Sequence, residues 1–114
     1  MLKLTYARRT ILFPADVQQP ALSALAKSPE QLPCDVLIAP HHGSAEAATA
    51  AFLKAADPLY IVSSNDRTLS QKQRLFDKLA GERPLFRTNR CGAVTIEIDR
   101  NGGVIVAPFV PPRP

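Results

Sequence analysis

The chain has 114 residues, of which 46% are hydrophobic and 21% are charged, which favours one small globular domain, or part of one, and excludes a disordered chain. Its net charge of +4 permits binding to nucleic acid without requiring it. Two cysteines exclude a disulfide framework and a zinc ribbon, and no signal peptide or membrane-spanning run is recognisable, so the chain alone is expected to be soluble.

The first part of the chain predicts a pair of strands, over residues 3–6 and 10–13, followed by a short helix over residues 20–27. The second strand is apolar and runs into Pro14, Ala15 and Asp16. A carboxylate just past a buried strand is suited to bind a metal or to act as a base. The alternative is that Asp16 only forms a turn or caps the helix.

The only two histidines follow the next predicted strand, over residues 34–39, which is continuous rather than alternating and is ended by Pro40. Ser44 is suited to cap a helix over residues 45–56. His41 and His42 therefore lie between the carboxyl end of a strand and the start of a helix, where ligands bind in open α/β sheets. Gly43 permits a tight turn there and the close approach of a ligand.

Two interpretations of the histidine pair remain open. Neutral imidazole is a common metal ligand, and its charge changes near physiological pH. Adjacent residues on a turn rarely bind one ion together, so one histidine would face the site while the other packs or contacts substrate. Alternatively, the pair belongs to an ordinary surface turn, since a lone ligand does not make a metal site.

The second part of the chain predicts a strand over residues 59–62 and a polar loop over 63–67 at the same edge as His41. A capping box from Ser70 to Gln73 starts a helix that ends near Gly81, with residues 75, 76 and 79 facing inward. A brief strand over 84–87 and a turn over 88–92 follow. Cys34 is expected to be a small core residue.

A terminal hairpin is predicted from the alternation of residues 93–98, the Asn101-Gly102 turn and a strand over 104–106. Residues 108–114 carry four of the eleven prolines and predict an extended, mobile tail. The order of a β-pair, helix–strand units and a second β-pair predicts an α/β fold with a mixed sheet and about three helices.

Four blocks of the sequence resemble metallo-β-lactamase-fold proteins, in particular the C-terminal domain of ComEC-type DNA-internalisation competence proteins. Residues 35–44, DVLIAPHHGS, resemble that family's DVLKVPHHGS. Residues 11–16, 58–63 and 87–94 resemble its LLLTGD, PKVAVIS and RTDRDGAV in the same order and spacing. The similarity covers residues 3–98, most of the chain.

The resemblance implies that residues 1–107 are the C-terminal half of a metallo-β-lactamase-like αββα sandwich. It implies that Asp16 bridges two zinc ions, that His41 is a terminal ligand, and that Asp16 and His42 are catalytic. Such sites lower the pKa of a bound water and generate hydroxide that attacks a phosphodiester. The implied function is a hydrolase or nuclease that acts on DNA, single-stranded DNA included, within a bacterial inner-membrane protein for DNA uptake.

The sequence also departs from that family. The principal metal motif, HxHxDH, is absent, and two histidines cannot complete a two-zinc site. Three further motifs are incomplete. The family's TGD loses its glycine at residues 14–16, and its HPHPE loses both histidines at residues 69–73. Its DRDG loses both acids at residues 89–92. We therefore expect the distal half of a longer, membrane-anchored protein, inactive in these residues alone.

The alternative is a lineage whose metal site has decayed and which keeps a noncatalytic DNA-binding or structural role. In either case the remainder of the parent protein would cover part of the sheet. The uncovered sheet edge and apolar face predict self-association of the isolated chain, as a homodimer or a larger aggregate.

Overall fold

The computed structural model describes residues 2–14, 33–44, 50–65 and 68–110. Within them, five strands form one sheet in sequential order: β1 (Leu2–Tyr6), β2 (Arg9–Phe13), β3 (Val36–Ile38), β4 (Tyr60–Ser63) and β5 (Leu85–Arg87). Strand β1 is antiparallel to β2, whereas β2 to β5 are parallel. Strands β6 (Val94–Ile98) and β7 (Val104–Pro108) form a separate antiparallel hairpin.

Three helices are seen in the same ranges: α1 (Ala50–Ala56) between β3 and β4, α2 (Gln71–Ala80) between β4 and β5, and α3 (Thr88–Cys91) directly after β5. Right-handed crossovers between successive parallel neighbours place their helices on one face of the sheet, and α1 and α2 contact each other there. The α/β class with a mixed sheet and three helices is therefore confirmed. The helix predicted over residues 20–27 lies outside the described residues.

The main core lies between the sheet and these helices. Leu12, Leu37 and Ile61 are paired across β2, β3 and β4, and all three are fully buried. Phe52 of α1 and Phe76 of α2 belong to the same buried cluster. Burial of each such side chain contributes about 1.5–3 kcal/mol, so this row fixes the positions of the strand ends that carry the polar residues.

The second face of the sheet also carries a buried side chain, and the β6–β7 hairpin is a separate element tied to the rest of the fold at its tip and near its base. Side chains alternate along a strand, so Val36 faces the side of the sheet opposite to Leu37. Val36 is nevertheless fully buried. The hairpin carries one row of half-buried and one row of exposed residues on each strand. Arg9 Nε donates to Gly102 O at 2.7 Å at its tip, and Val110 N donates to Cys91 O at 2.8 Å near its base.

Several local predictions are confirmed. Ser70 Oγ accepts from Gln73 N at 3.2 Å and Gln73 Oε1 accepts from Ser70 N at 2.9 Å, which completes the capping box. Gly81 ends α2, and Cys34 is buried. The hairpin forms around Asn101 and Gly102, as the alternation and the turn residues predicted.

Four local predictions are wrong. Leu75 is 49% exposed, because the inward stripe of α2 is defined by Phe76 and Ala80, one turn apart. The turn expected over residues 88–92 is the one-turn helix α3, closed by Gly92 N donating to Thr88 O at 3.0 Å. Strand β3 covers only Val36–Ile38 of the predicted residues 34–39. Strand β7 continues past the predicted residue 106 to Pro108; proline is tolerated at the end of a strand because no N–H has to be donated there.

No helix in the described ranges is both long enough and apolar enough to cross a membrane.

Candidate functional site

The turn after β3 carries both histidines. Ala39 N donates to Val62 O at 2.8 Å, which ties the end of β3 to β4. Pro40 then starts a 3-10 turn that runs over Pro40–His42 and is closed by Gly43 N donating to Pro40 O at 3.0 Å. Proline suits this first position because it has no N–H that would be left unpaired. The predicted place of the histidine pair, just past the carboxyl end of a parallel strand, is confirmed.

Gly43 makes room for the side chain of Arg87. Its φ of +70° lies in the left-handed region, which favours glycine. A Cβ atom at Gly43 would lie 2.7 Å from Arg87 Nη1 and 2.7 Å from Ser63 Oγ. The absence of a side chain at Gly43 therefore makes room for the guanidinium of Arg87, and the expected approach of a ligand to this glycine stays a prediction.

Arg87, the last residue of β5, is only 4% exposed and joins the sheet to α2. Its Nε donates to Asp77 Oδ1 at 2.9 Å, and its Nη2 donates to Gln73 O, also at 2.9 Å. The guanidinium carbon lies 5.7 Å from the centre of the Phe76 ring. A charge this deeply buried is stable only when it is paired and hydrogen-bonded, and here both conditions are met.

The other donors of Arg87 hold the histidine turn. Nη2 donates to Gly43 O at 3.1 Å, and Nη1 donates to His42 O at 3.4 Å. Nη1 also donates to Asn65 Oδ1 at 2.8 Å and Ser63 Oγ at 3.2 Å, at the end of β4. One side chain therefore fixes the ends of three structural segments relative to one another.

His42 is exposed, and its ring orientation is set by a backbone carbonyl. Its Nδ1 lies 3.0 Å from Ser64 O. A carbonyl oxygen can only accept, so Nδ1 carries the proton and the lone pair of the neutral ring lies on Nε2. The carbonyl of His42 accepts from Asn65 Nδ2 at 3.1 Å and Gln73 Nε2 at 3.0 Å.

The backbone of His42 is strained. Its φ of +55° is left-handed, a conformation that costs a residue with a side chain about 1–2 kcal/mol. The hydrogen bonds to its carbonyl and to its ring hold the residue in this conformation. Strain of this kind is concentrated at functional sites, where the surrounding structure over-determines the geometry.

A cavity of about 440 Å³ opens at this edge of the sheet and is lined by His42, Ser64, Asn65 and Gln73. Its size is within the range of small-molecule sites, roughly 300–1,000 Å³. Its lining offers one imidazole and polar amide and hydroxyl groups. The cavity is thus suited to a polar or charged ligand that His42 could contact.

The arrangement of His42 fits that of a metal ligand or a base. A ligating histidine usually donates its second ring N–H to a carbonyl or carboxylate, as His42 does to Ser64. Among the described residues, no group of three or more His, Cys, Asp or Glu side chains could hold a metal ion. Asp16 and the side chain of His41 lie outside what the structure describes, so neither predicted metal ligand is placed.

Cys34 lies at the opposite end of β3 and takes no part in this site. Burial raises the pKa of its thiol to about 12, and the charge of Asp35 adds to the shift. The thiol is therefore protonated at neutral pH and is a poor ligand and nucleophile. This agrees with its predicted role as a core residue.

Sequence reasoning missed the residues that support His42. Arg87 was assigned only to a strand and Gln73 only to the capping box, although Gln73 serves both the cap and the histidine turn. Asn65 was placed correctly in a polar loop at this edge, without a role. The available signal was that Arg87 and Asn65 lie at or just after strand ends, which meet at one edge of a parallel sheet, and that Gln73 lies in the first turn of α2.

The chain was compared with models of protein families, with curated proteins and with solved structures, and none of them matches it. The function is therefore inferred from the residues around His42 together with the four sequence blocks.

Proposed function

We propose that this chain is the distal half of a metal-dependent hydrolase domain that cleaves phosphodiesters of DNA, as part of a DNA-uptake protein of the ComEC type. One observation carries the proposal. The Ser64 carbonyl binds Nδ1 of His42 and leaves the lone pair on Nε2, in a cavity at the carboxyl edge of a parallel sheet. The assignment to this family is supported by the four sequence blocks at residues 11–16, 35–44, 58–63 and 87–94, which resemble its motifs.

The residues of this chain would have distinct tasks in the complete domain. Asp16 and His41 would hold metal, which when bound supplies a water of lowered pKa for attack on the phosphodiester. His42 would contact the substrate or accept a proton at Nε2. Arg87, Asn65 and Gln73 would act as positioning residues, because each donates a hydrogen bond to the carbonyl of His42.

The layering of the structure also supports the proposal. One face of the sheet is packed by α1 and α2, whereas the β6–β7 hairpin forms a separate sheet of only two strands. On β1, the alternate residues Leu2, Leu4 and Tyr6 are 49–56% exposed. The remainder of an αββα sandwich would pack on this apolar row, and without it the row would promote self-association of the chain.

The test begins with the gene. The reading frame upstream of residue 1 is sequenced, and any metal motif found there is expressed together with these residues as one domain. Zinc content is measured by elemental mass spectrometry, and cleavage is measured on single-stranded and double-stranded DNA. We expect zinc binding and DNA cleavage that a chelator abolishes.

Variants then assign the residues. Asp16→Asn and His41→Gln are expected to lower zinc content, whereas His42→Gln is expected to lower cleavage more than zinc content. Arg100→Gln, at the far hairpin turn, is the control for the loss of one ionisable group and is expected to change neither. A complete domain that binds no zinc would refute the proposal. DNA binding that is salt-sensitive, survives the chelator and occurs without cleavage would instead establish a noncatalytic DNA-binding module.

A further inference from the structure

A second and larger cavity lies on the other side of Arg87, between the end of α2, strand β5 and the end of β7. Its volume is about 740 Å³, again within the range of small-molecule sites, roughly 300–1,000 Å³. Much of its lining is apolar and comes from Ala80, Leu85, Phe86, Pro108 and Val110. We call it the α2–β7 cavity; it shares Arg87 with the histidine turn but contains neither histidine.

The charged residues around the α2–β7 cavity are mostly cationic. Arg83, Arg87 and Arg90 line it, against a single carboxylate, Asp77. Asp77 is already paired with Arg87 at 2.9 Å. The cavity therefore has an excess of positive charge beside an apolar surface.

The remaining two arginines differ in how they are satisfied. Arg83 donates to Asp57 Oδ1 at 3.0 Å, but Asp57 is 79% exposed, so this pair is weak and screened. Arg90 is exposed, and within the described part of the chain its side chain makes no hydrogen bond or ion pair. Its guanidinium is thus available to a ligand in the cavity.

We propose that the α2–β7 cavity binds a small amphipathic anion, with an apolar body against Leu85, Phe86 and Pro108 and a carboxylate or phosphate head paired with Arg90. Guanidinium groups present a planar fork of donors that matches both head groups. An apolar body of aromatic size suits the volume and the lining. The proposal involves neither His42 nor a metal, so it stands or falls separately from the hydrolase assignment.

Cys91 makes this cavity measurable, because it lines the cavity and is partly exposed. The other cysteine, Cys34, is buried, and its pKa of about 12 keeps it protonated and unreactive. A neutral aromatic disulfide such as dithiodipyridine therefore modifies Cys91 alone in the folded chain. The Cys91 thiolate forms a mixed disulfide and releases one pyridinethione, which is followed by its absorbance.

The experiment uses three fluorescent probes with the same apolar body: naphthoate, naphthyl phosphate and the neutral naphthalene methanol. Binding is measured by fluorescence anisotropy, and occupancy of the cavity by the slowing of Cys91 modification. We expect at least one of the two anions to bind and protect Cys91 at concentrations where the neutral alcohol does neither. Which anion binds more tightly distinguishes a carboxylate from a phosphate ligand.

Two variants that each remove one positive charge locate the binding. Arg90→Gln is expected to weaken binding of the anions about two- to fivefold, the effect of one exposed ion pair. Arg100→Gln, at the far end of the β6–β7 hairpin, is expected to leave their affinity unchanged. The proposal is overturned if neither anion binds, if the neutral probe binds as well as the anions, or if both variants weaken binding equally.

Discussion

The two ends of the same sheet are each held by an arginine, and the two arginines work under opposite conditions. At the carboxyl end, Arg87 is 4% exposed and bonds to a carboxylate and to the carbonyls of two other segments. At the amino end, the side chain of Arg9 is 38% exposed and pairs with Asp35 at 2.9 Å. Arg9 also reaches the hairpin tip through Gly102 O.

The difference shows which end of the sheet is held rigidly. A buried guanidinium must be fully satisfied, so it fixes every group to which it bonds, including the carbonyls of His42 and Gly43. A half-exposed ion pair is weak and leaves its surroundings free to adjust. The strained His42 and the polar cavity lie at the end that is rigidly held.

The largest predicted effect is the loss of Arg87. Arg87→Met should lower the free energy of unfolding by about 3–5 kcal/mol, because it leaves Asp77 and several carbonyls without their partner. Arg9→Met, the matched change at the other end, removes one partly exposed ion pair and the hydrogen bond to Gly102 O, and should cost about 1–2 kcal/mol. Urea unfolding followed by circular dichroism measures both, and equal losses would remove the distinction between the two ends.

The second prediction concerns the glycine against which Arg87 packs. Gly43→Ala should cost about 1–2 kcal/mol for its positive φ and about 1–3 kcal/mol for the clash with Arg87 and Ser63. In the Arg87→Met background the clash is partly relieved, so the double variant should lose less stability than the sum of the two single changes. Strictly additive losses would show that Gly43 and Arg87 do not depend on each other.

The third prediction is a pH dependence at the amino end, where Cys34 is buried. Its pKa rises from 9.0 to about 12 on folding, so above pH 9 the unfolded chain releases this proton while the folded chain keeps it. Stability from this group is complete below pH 9 and decreases as the pH rises, by about 1 kcal/mol between pH 8 and pH 10. Cys34→Ala should show a shallower decrease in urea midpoints over that range, and an unchanged slope would contradict the burial of an un-ionised thiol.

The smallest predicted effect on stability is at His42. His42→Gly removes the strain of the positive φ, which stabilises the folded chain. It also removes the ring hydrogen bond and gives the unfolded chain more freedom, and both of these destabilise. Because these contributions offset each other, the free energy of unfolding should change by less than about 0.5 kcal/mol. His42→Ala keeps the strain and loses the bond, and should cost about 0.5–1.5 kcal/mol. If both variants were equally destabilised in urea, the backbone of His42 would not be strained.

Local signals predicted much of the fold. The alternation of Val94, Ile96 and Ile98 gave the face of β6, and Ser70 with Gln73 gave the start of α2. These signals are local because the partner groups lie within a few residues of each other. The strand-end position of His42 also followed from sequence, since Pro40 ends an apolar run.

The support of the candidate site could not be predicted in the same way. The partners of Arg87 lie 10 to 45 residues away in the chain, so no local pattern links Arg87 to Asp77, Gln73 or the histidine turn. The packing of Arg87 against Gly43 could not be predicted either, because only the folded structure shows which group lies on that side of the glycine. The predicted burial of Leu75 was wrong for a related reason: tertiary packing decides which residues of α2 face inward.

The most direct test of the central claim, that this end of the sheet presents Nε2 of His42, is the tautomer of its ring. Nitrogen NMR of the labelled chain, in buffer where the imidazole is neutral, reports which ring nitrogen carries the proton. The account predicts a protonated Nδ1, bound to the Ser64 carbonyl, and an unprotonated Nε2. A proton on Nε2, or the averaged signal of a ring without a fixed partner, would contradict it.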